Sequence, residues 1–307
     1  MRSLPYKPIL ICGPTASGKS ALGLMLAERL NGVIVNADAL QVYSNWRILT
    51  ARPSEADEAR APHLLYGHIA PQVNYSVGEW LREVSVIIET ETRPLIILGG
   101  TGLYFTSLVS GLADIPEIPS DVRARGNQLR ETGGPAAFLD KIDAETLAKT
   151  DKNNAMRLQR AWEVLEATGK GLATWQKETP APMIALEDSI PIVLNSNTDW
   201  LNARIAKRFD KMLNEGAVQE CVAVLNSGWN PSLPSSRALG ASEIIAYLQG
   251  EMSLDQAREA ATIATRQFAK RQRTWFRSKM SDWHQVQLDT IDVSQLADNI
   301  IQNGKPT

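Results

Sequence analysis

The stretch Gly13-Pro14-Thr15-Ala16-Ser17-Gly18-Lys19-Ser20 fits the pattern GxxxxGK[ST]. It follows directly on the apolar run Ile9–Cys12 and precedes Leu22, Met25, Leu26 and Leu30, which recur at helical spacing. A strand, a glycine-rich loop and a helix in that order form a phosphate cradle. The glycines let backbone N–H groups turn inward, and the helix N-terminus adds its partial positive charge. Lys19 supplies a point charge and Ser20 a hydroxyl for Mg²⁺. Nucleotide- and ATP-binding P-loops are built this way, so the motif names an anion and not yet a reaction.

The strand that feeds such a loop belongs to a parallel sheet, and the sequence offers further strands of the same kind. Residues 33–35, 94–98 and 191–194 are continuous apolar runs with no polar alternation, interleaved with helical patterns. The loops after the first three strands carry Gly13 to Gly18, Asn36 to Asp38 and Gly99 to Gly102. All would lie beyond the carboxyl ends of the strands, where such sheets bind ligands. Prolines 116, 119, 180 and 182 punctuate a stretch that reads almost wholly helical. Helices are expected again at about 199–214, 215–226, 236–249 and 254–280. The expected fold is α/β: a P-loop NTPase-like parallel sheet covered by helices, built from 1–112 and 190–307, with an inserted all-helical lobe at 113–189.

Of the 307 residues, 44% are hydrophobic and 21% charged, which suits an ordinary folded chain and excludes disorder as the main state. No run approaches the roughly 18 apolar residues of a membrane span. The segment before Gly13 reads as a first strand and not as an export signal. Cys12 and Cys221 cannot build a disulfide framework, so a reducing cytoplasm is expected. His63, His68 and His284 show no metal-ligand spacing.

Three features outside the P-loop invite a chemical reading. No acidic residue ends the strand at 94–98, so Asp38 is the candidate carboxylate facing the cradle, although an Asp at a strand end also serves as a turn former. Thr101, between glycines, offers a hydroxyl to a phosphate or acts as a helix N-cap. Net charge is only −2, yet residues 258–279 hold seven Lys and Arg side chains against Glu259 alone. Arg266, Lys270, Arg273 and Arg277 share one helical face, with Arg271 and Lys279 flanking it and Phe268, Trp275 and Phe276 interleaved. A solvated face normally carries both signs, so this helix favours a polyanion, nucleic acid first.

Together these stretches resemble the tRNA dimethylallyltransferase family, also called tRNA isopentenyltransferase. The matching segments are GPTASGKS at 13–20, NADALQVY at 36–43, GGTGLY at 99–104, DKNNAMRLQRAWEVLEATGK at 151–170, RIAKRFDKMLNEG at 204–216 and ATRQFAKRQRTWFR at 264–277. The resemblance implies transfer of a dimethylallyl group from dimethylallyl diphosphate to the exocyclic amine of the adenosine 3′ of the anticodon, tRNA position 37. It implies that the P-loop grips the diphosphate with Lys19, Thr101 and Arg208 and with Mg²⁺ on Ser20. Asp38 would be general base or anchor for the amine. Contacts to the anticodon stem-loop are implied for Asp38, Ala39, Leu40, Gln41, Thr101, Arg123, Met156, Arg157, Leu158, Gln159, Arg160, Arg237, Arg266, Lys270, Arg271 and Arg277. The inserted lobe would close on that stem-loop, and a monomer without an obligate protein partner is implied. Two departures stand out: Ala39 replaces the family's usual Ser, and Gly240-Ala241 replaces Gly-Tyr. The eukaryotic zinc finger is absent, which implies a bacterial type. The competing readings are a P-loop small-molecule kinase and a non-catalytic RNA-binding module.

Overall fold

The computed structural model describes residues 6–306; the first five residues of the N-terminal segment read against an export signal lie outside them. Six parallel strands, β1 (Ile9–Cys12), β2 (Val33–Asn36), β3 (His63–Leu64), β4 (Leu95–Gly99), β5 (Ile190–Asn195) and β6 (His284–Gln287), form one sheet in the order β3-β2-β4-β1-β5-β6. The strand that feeds the P-loop is therefore central. In register, Cys12 stands beside Gly99 on one side and Val193 on the other, while Asn36 stands beside Leu98. The loops after β1, β2 and β4 consequently emerge together at the carboxyl edge.

Both faces of the sheet are covered, which is why its strands lack polar alternation. Ile9, Ile11, Ile34, Ile96, Leu98 and Ile192 face the helix Lys19–Leu30 and the last helix, Val293–Asn303, through Leu22, Leu26, Leu296 and Ile300. Their alternates Leu10, Val35 and Ile97 point to the opposite face and are equally inaccessible. A second cluster ties the loop around Trp46 and Leu49 to the helices Thr198–Asn214, Ala217–Asn226 and Ala241–Leu248. The strands β3 and β6 and the last helix have no counterpart in the sequence reading. β3 is two residues long, and β6 is the edge segment His-Gln-Val-Gln with only Val286 buried.

The chain divides into two compact units, residues 6–109 with 184–306 and residues 110–183. The second segment of the sheet-bearing unit begins at 184, earlier than the expected 190. Ile184 is buried and donates its N–H to Leu108 O at 3.3 Å, so the chain is already back on this unit before β5 starts. The unit at 110–183 contains the helices Ser120–Gly133, Ala144–Lys149, Ala155–Thr168 and Leu172–Lys177 with a 3₁₀ turn at Gly134–Phe138. Its own core is Val122, Phe138, Leu158, Ala161, Trp162 and Val164. Among the described residues, no helix is long and apolar enough to cross a membrane.

Candidate functional site

The P-loop geometry follows from two backbone demands. Gly18 sits at φ 104, and a Cβ there would also lie 2.7 Å from Leu288, so only glycine turns the chain into the helix. Ala16 holds the left-handed region at φ 63 despite its side chain. Its carbonyl accepts a hydrogen bond from Arg204 Nε at 2.8 Å, and Arg204 lies against the ring of Trp200. Ser17 is buried with its hydroxyl unpartnered, whereas Ser20 is exposed at the first helical turn. Lys19 Nζ donates to Pro14 O at 3.0 Å. Burial pushes the Lys19 ammonium down to about 8, with Asp38 pulling it up and Arg208 lowering it further.

Asp38 stands on a platform built by its neighbours. Asn36, fully buried at the end of β2, accepts the Asp38 N–H at 2.9 Å and donates to the carbonyls of Asp38 and Leu65 at 3.0 and 2.9 Å. Asp38 Oδ1 accepts the N–H of Leu40 at 3.0 Å, so the turn-forming role of this Asp is real and leaves Oδ2 for the cleft side. Thr101 completes the platform: its N–H donates to Ala37 O at 3.2 Å and its hydroxyl oxygen accepts the N–H of Ala39 at 2.9 Å. Glycines on both sides of Thr101 suggest room for a ligand to approach. Protein groups occupy that space instead: a Cβ on Gly99 would lie 2.0 Å from Ala37 O, and one on Gly102 would lie 2.2 Å from the ring of Trp275.

These elements line one open cleft. Its polar side carries Thr15, Lys19, Ser20, Asp38, Arg208 and Gln272; Leu40, Leu49, Leu239 and Phe268 supply an apolar side. Arg208 comes from the helix Thr198–Asn214, and burial lowers its guanidinium while Asp38 opposes that shift. Among the described residues neither Lys19 nor Arg208 forms a salt bridge. Two unpaired cations and one carboxylate in a single cleft form a receptor for a small polyanion beside a proton acceptor.

Other residues named from the sequence are distributed less simply. Ala39, Leu40 and Gln41 follow Asp38 at the rim, but the Gln41 amide donates to Thr50 O and Ala51 O, both at 2.9 Å, bracing that loop. Arg237 is exposed at the end of the 3₁₀ turn Pro234–Arg237. Along the helix Leu254–Lys279, the side chains of Arg266, Lys270, Arg271 and Arg277 are exposed, with no ion pair among the described residues. The aromatic side chains expected to add surface there turn inward: Phe276 is 1% exposed, Trp275 packs on Gly102 and Phe268 faces the cleft. Arg273 is taken up by Thr198 Oγ1 at 2.7 Å.

In the unit at 110–183, Arg123, Met156, Arg157 and Arg160 are exposed, but Leu158 and Gln159 are not available to a partner. Leu158 is 0% exposed in the unit's core, and Gln159 Nε2 donates to Asn127 Oδ1 and Glu163 Oε1 at 2.9 and 2.7 Å. A helix surface alternates every three to four residues, so five consecutive positions cannot all face outward. The residue that the sequence reading missed is Gln272. It sits in a polar run whose charges drew attention, and nothing local marks the one side chain that turns inward.

A family model described as IPP transferase matches residues 41–279. The chain belongs to the IPP transferase family. The P-loop and Asp38 precede the matched range. The tRNA dimethylallyltransferase of Dinoroseobacter shibae is 57% identical over 91% of this chain and 94% of its own length. That of Roseobacter denitrificans is 55% identical over 91% and 98%. Among solved structures, the full-length tRNA isopentenylpyrophosphate transferase of Bacillus halodurans superposes with TM-score 0.68 at 29% identity, covering 96% of this chain and 95% of that one. A eukaryotic dimethylallyltransferase described as acting on tRNA gives TM-score 0.80 at 24% identity over 97% and 80%, a likeness of fold. As an IPP transferase, the chain is a prenyl-transferring enzyme, and neither the kinase nor the non-catalytic reading is favoured.

Proposed function

We propose that the enzyme transfers a dimethylallyl group from dimethylallyl diphosphate to the exocyclic amine of the adenosine immediately 3′ of the anticodon, tRNA position 37, releasing diphosphate. The observation that carries this reading is the convergence of Lys19, Arg208 and Asp38 on one cleft. An allylic carbon leaves diphosphate only when the departing charge is stabilised, and the attacking amine must lose a proton. The cleft holds cations for the first requirement and a carboxylate for the second. The names of the relatives support both substrates.

In this reading Lys19, Arg208 and the N–H groups of residues 13–20 bind the diphosphate. The adenosine leaves the loop stack and enters the cleft, which costs a few kcal/mol. Its amine nitrogen forms a bond to the terminal allylic carbon, the carbon–oxygen bond breaks, and the electron pair departs on diphosphate. Asp38 takes the amine proton. Thr101 acts by fixing Ala39 and with it the Asp38 backbone. A Mg²⁺ ion would be held by the Ser20 hydroxyl and diphosphate oxygens, in a cleft whose lining includes one carboxylate, Asp38. When bound it would neutralise leaving-group charge. Arg237, Arg266, Lys270, Arg271 and Arg277 on the sheet-bearing unit, and Arg123, Met156, Arg157 and Arg160 on the other, are the exposed groups proposed to meet the tRNA. The reaction is placed in the cytoplasm and is carried out by a monomer.

The test mixes purified protein, Mg²⁺, labelled dimethylallyl diphosphate and tRNA, then digests the RNA to nucleosides. Label on adenosine is expected, and its loss in Asp38→Ala. Label nowhere in the RNA overturns the reading, and unchanged labelling by Asp38→Ala removes Asp38 from the chemistry.

A further inference from the structure

Gln272, on the helix Leu254–Lys279, is 7% exposed although its helix is mostly charged and solvated. Its amide is engaged in two directions. Oε1 accepts the N–H of Thr15 in the P-loop at 2.9 Å, and Nε2 donates to Gly100 O at 2.9 Å. Gly100 leads into Thr101, whose hydroxyl holds Ala39 beside Asp38. A Cβ added to Gly100 would lie 2.3 Å from Gln272 Nε2 and 3.1 Å from Asp38 Oδ2, so the amide and the carboxylate share one small space. One planar side chain thus spans the anion cradle and the carboxylate platform, and it comes from the helix that also displays Arg266, Lys270, Arg271 and Arg277.

We propose that Gln272 is a positioning residue that sets the separation between the leaving-group cradle and the Asp38 proton acceptor. A planar amide suits this role because it offers one acceptor and one donor at a fixed spacing, and no charge to compete with the diphosphate or the carboxylate. Reacting groups must be held within a fraction of an ångström of the productive geometry, so loosening this brace acts on turnover before it acts on binding. The inference rests on the transferase reading above, and the assay separates the two.

The experiment compares wild type with Gln272→Met and Gln272→Glu, measuring kcat, the KM for dimethylallyl diphosphate, the Kd for tRNA and the Tm. Met preserves length and removes both hydrogen bonds. It is expected to lower kcat at least tenfold while the tRNA Kd and Tm stay within twofold and a few degrees of wild type. Glu keeps the acceptor for Thr15 but sets a carboxylate oxygen against Gly100 O. That carboxylate would face Asp38 from the loop after β2, Lys19 from the P-loop and Arg208 from its helix, and it regains a donor only when protonated. The activity of Gln272→Glu relative to wild type should therefore rise as pH falls from 7.5 to 5.5. Wild type that does not label tRNA overturns the transferase reading. Wild type that labels tRNA, with Gln272→Met retaining its kcat or losing it in proportion to tRNA affinity and Tm, overturns the positioning role. A flat pH ratio for Gln272→Glu also counts against it.

Discussion

Lys19 is the residue whose chemistry is most exposed to measurement. Its ammonium is held at about 8 mainly by burial. An anion in the cradle supplies the missing countercharge and raises it again, so binding above pH 8 is linked to proton uptake. Calorimetry of diphosphate binding in two buffers of different ionisation enthalpy should report uptake that grows from near zero at pH 6.5 toward one proton at pH 9. No buffer dependence at pH 9 would place Lys19 away from the anion. Thr101 makes a second residue-scale prediction. Thr101→Val keeps the shape but removes the acceptor for the Ala39 N–H, costing about 1–3 kcal/mol at the platform, or roughly tenfold or more in kcat. Thr101→Ser should recover most of it, and equal activity in all three forms would leave Thr101 a spacer. The placement of Lys19 and Asp38 at one cleft was legible because a motif or a strand end marks them. That of Thr101 was half legible: the hydroxyl stands out between glycines, but its partner, the backbone of Ala39, comes from 62 residues earlier and leaves no local trace.

At the scale of elements, the glycines after β4 and the charged helix teach opposite lessons. The Gly-Gly-Thr-Gly sequence reads as room for a ligand, yet it is room for Ala37, Gln272 and Trp275. Gly99→Ala should accordingly destabilise the fold by more than about 2 kcal/mol, because the opposing atoms are backbone and cannot rotate away; a denaturant midpoint within error of wild type would refute this packing. The span of the charged helix is legible within a residue, and its cations do face outward. The inward turn of its aromatic side chains is not legible, since amphipathic spacing does not reveal which stripe meets the sheet-bearing unit. Removing Arg266, Lys270, Arg271 or Arg277 singly should lower the slope of log affinity for tRNA against log salt by roughly 0.7–0.9 for each phosphate no longer neutralised. Unaltered slopes in all four variants would take this helix out of the interface.

Across the whole molecule, the parallel sheet was readable because buried parallel strands are a strong signal, whereas the central place of β1 carries no mark in the sequence. The edge strands β3 and β6 were not readable either, since a short strand with little burial carries almost no pattern. The insertion's own core yields a test at this scale. Leu158→Ala should cost about 2–5 kcal/mol within that unit, opening new protease sites between residues 110 and 183 while leaving diphosphate binding in the cleft unchanged. Parallel loss of both would mean that the two units do not hold their structure separately.

The brace between Thr15 and Gln272 links positions 257 residues apart. A ribosome therefore adds 257 residues beyond Thr15 before that loop gains this partner, and a product terminated ahead of the helix Leu254–Lys279 would contain the whole P-loop motif yet lack the brace. Contacts this distant also slow spontaneous folding, because the chain entropy of joining them is lost before the bond is gained. On the positioning role proposed for Gln272, the cradle stays unbraced until that helix has been made.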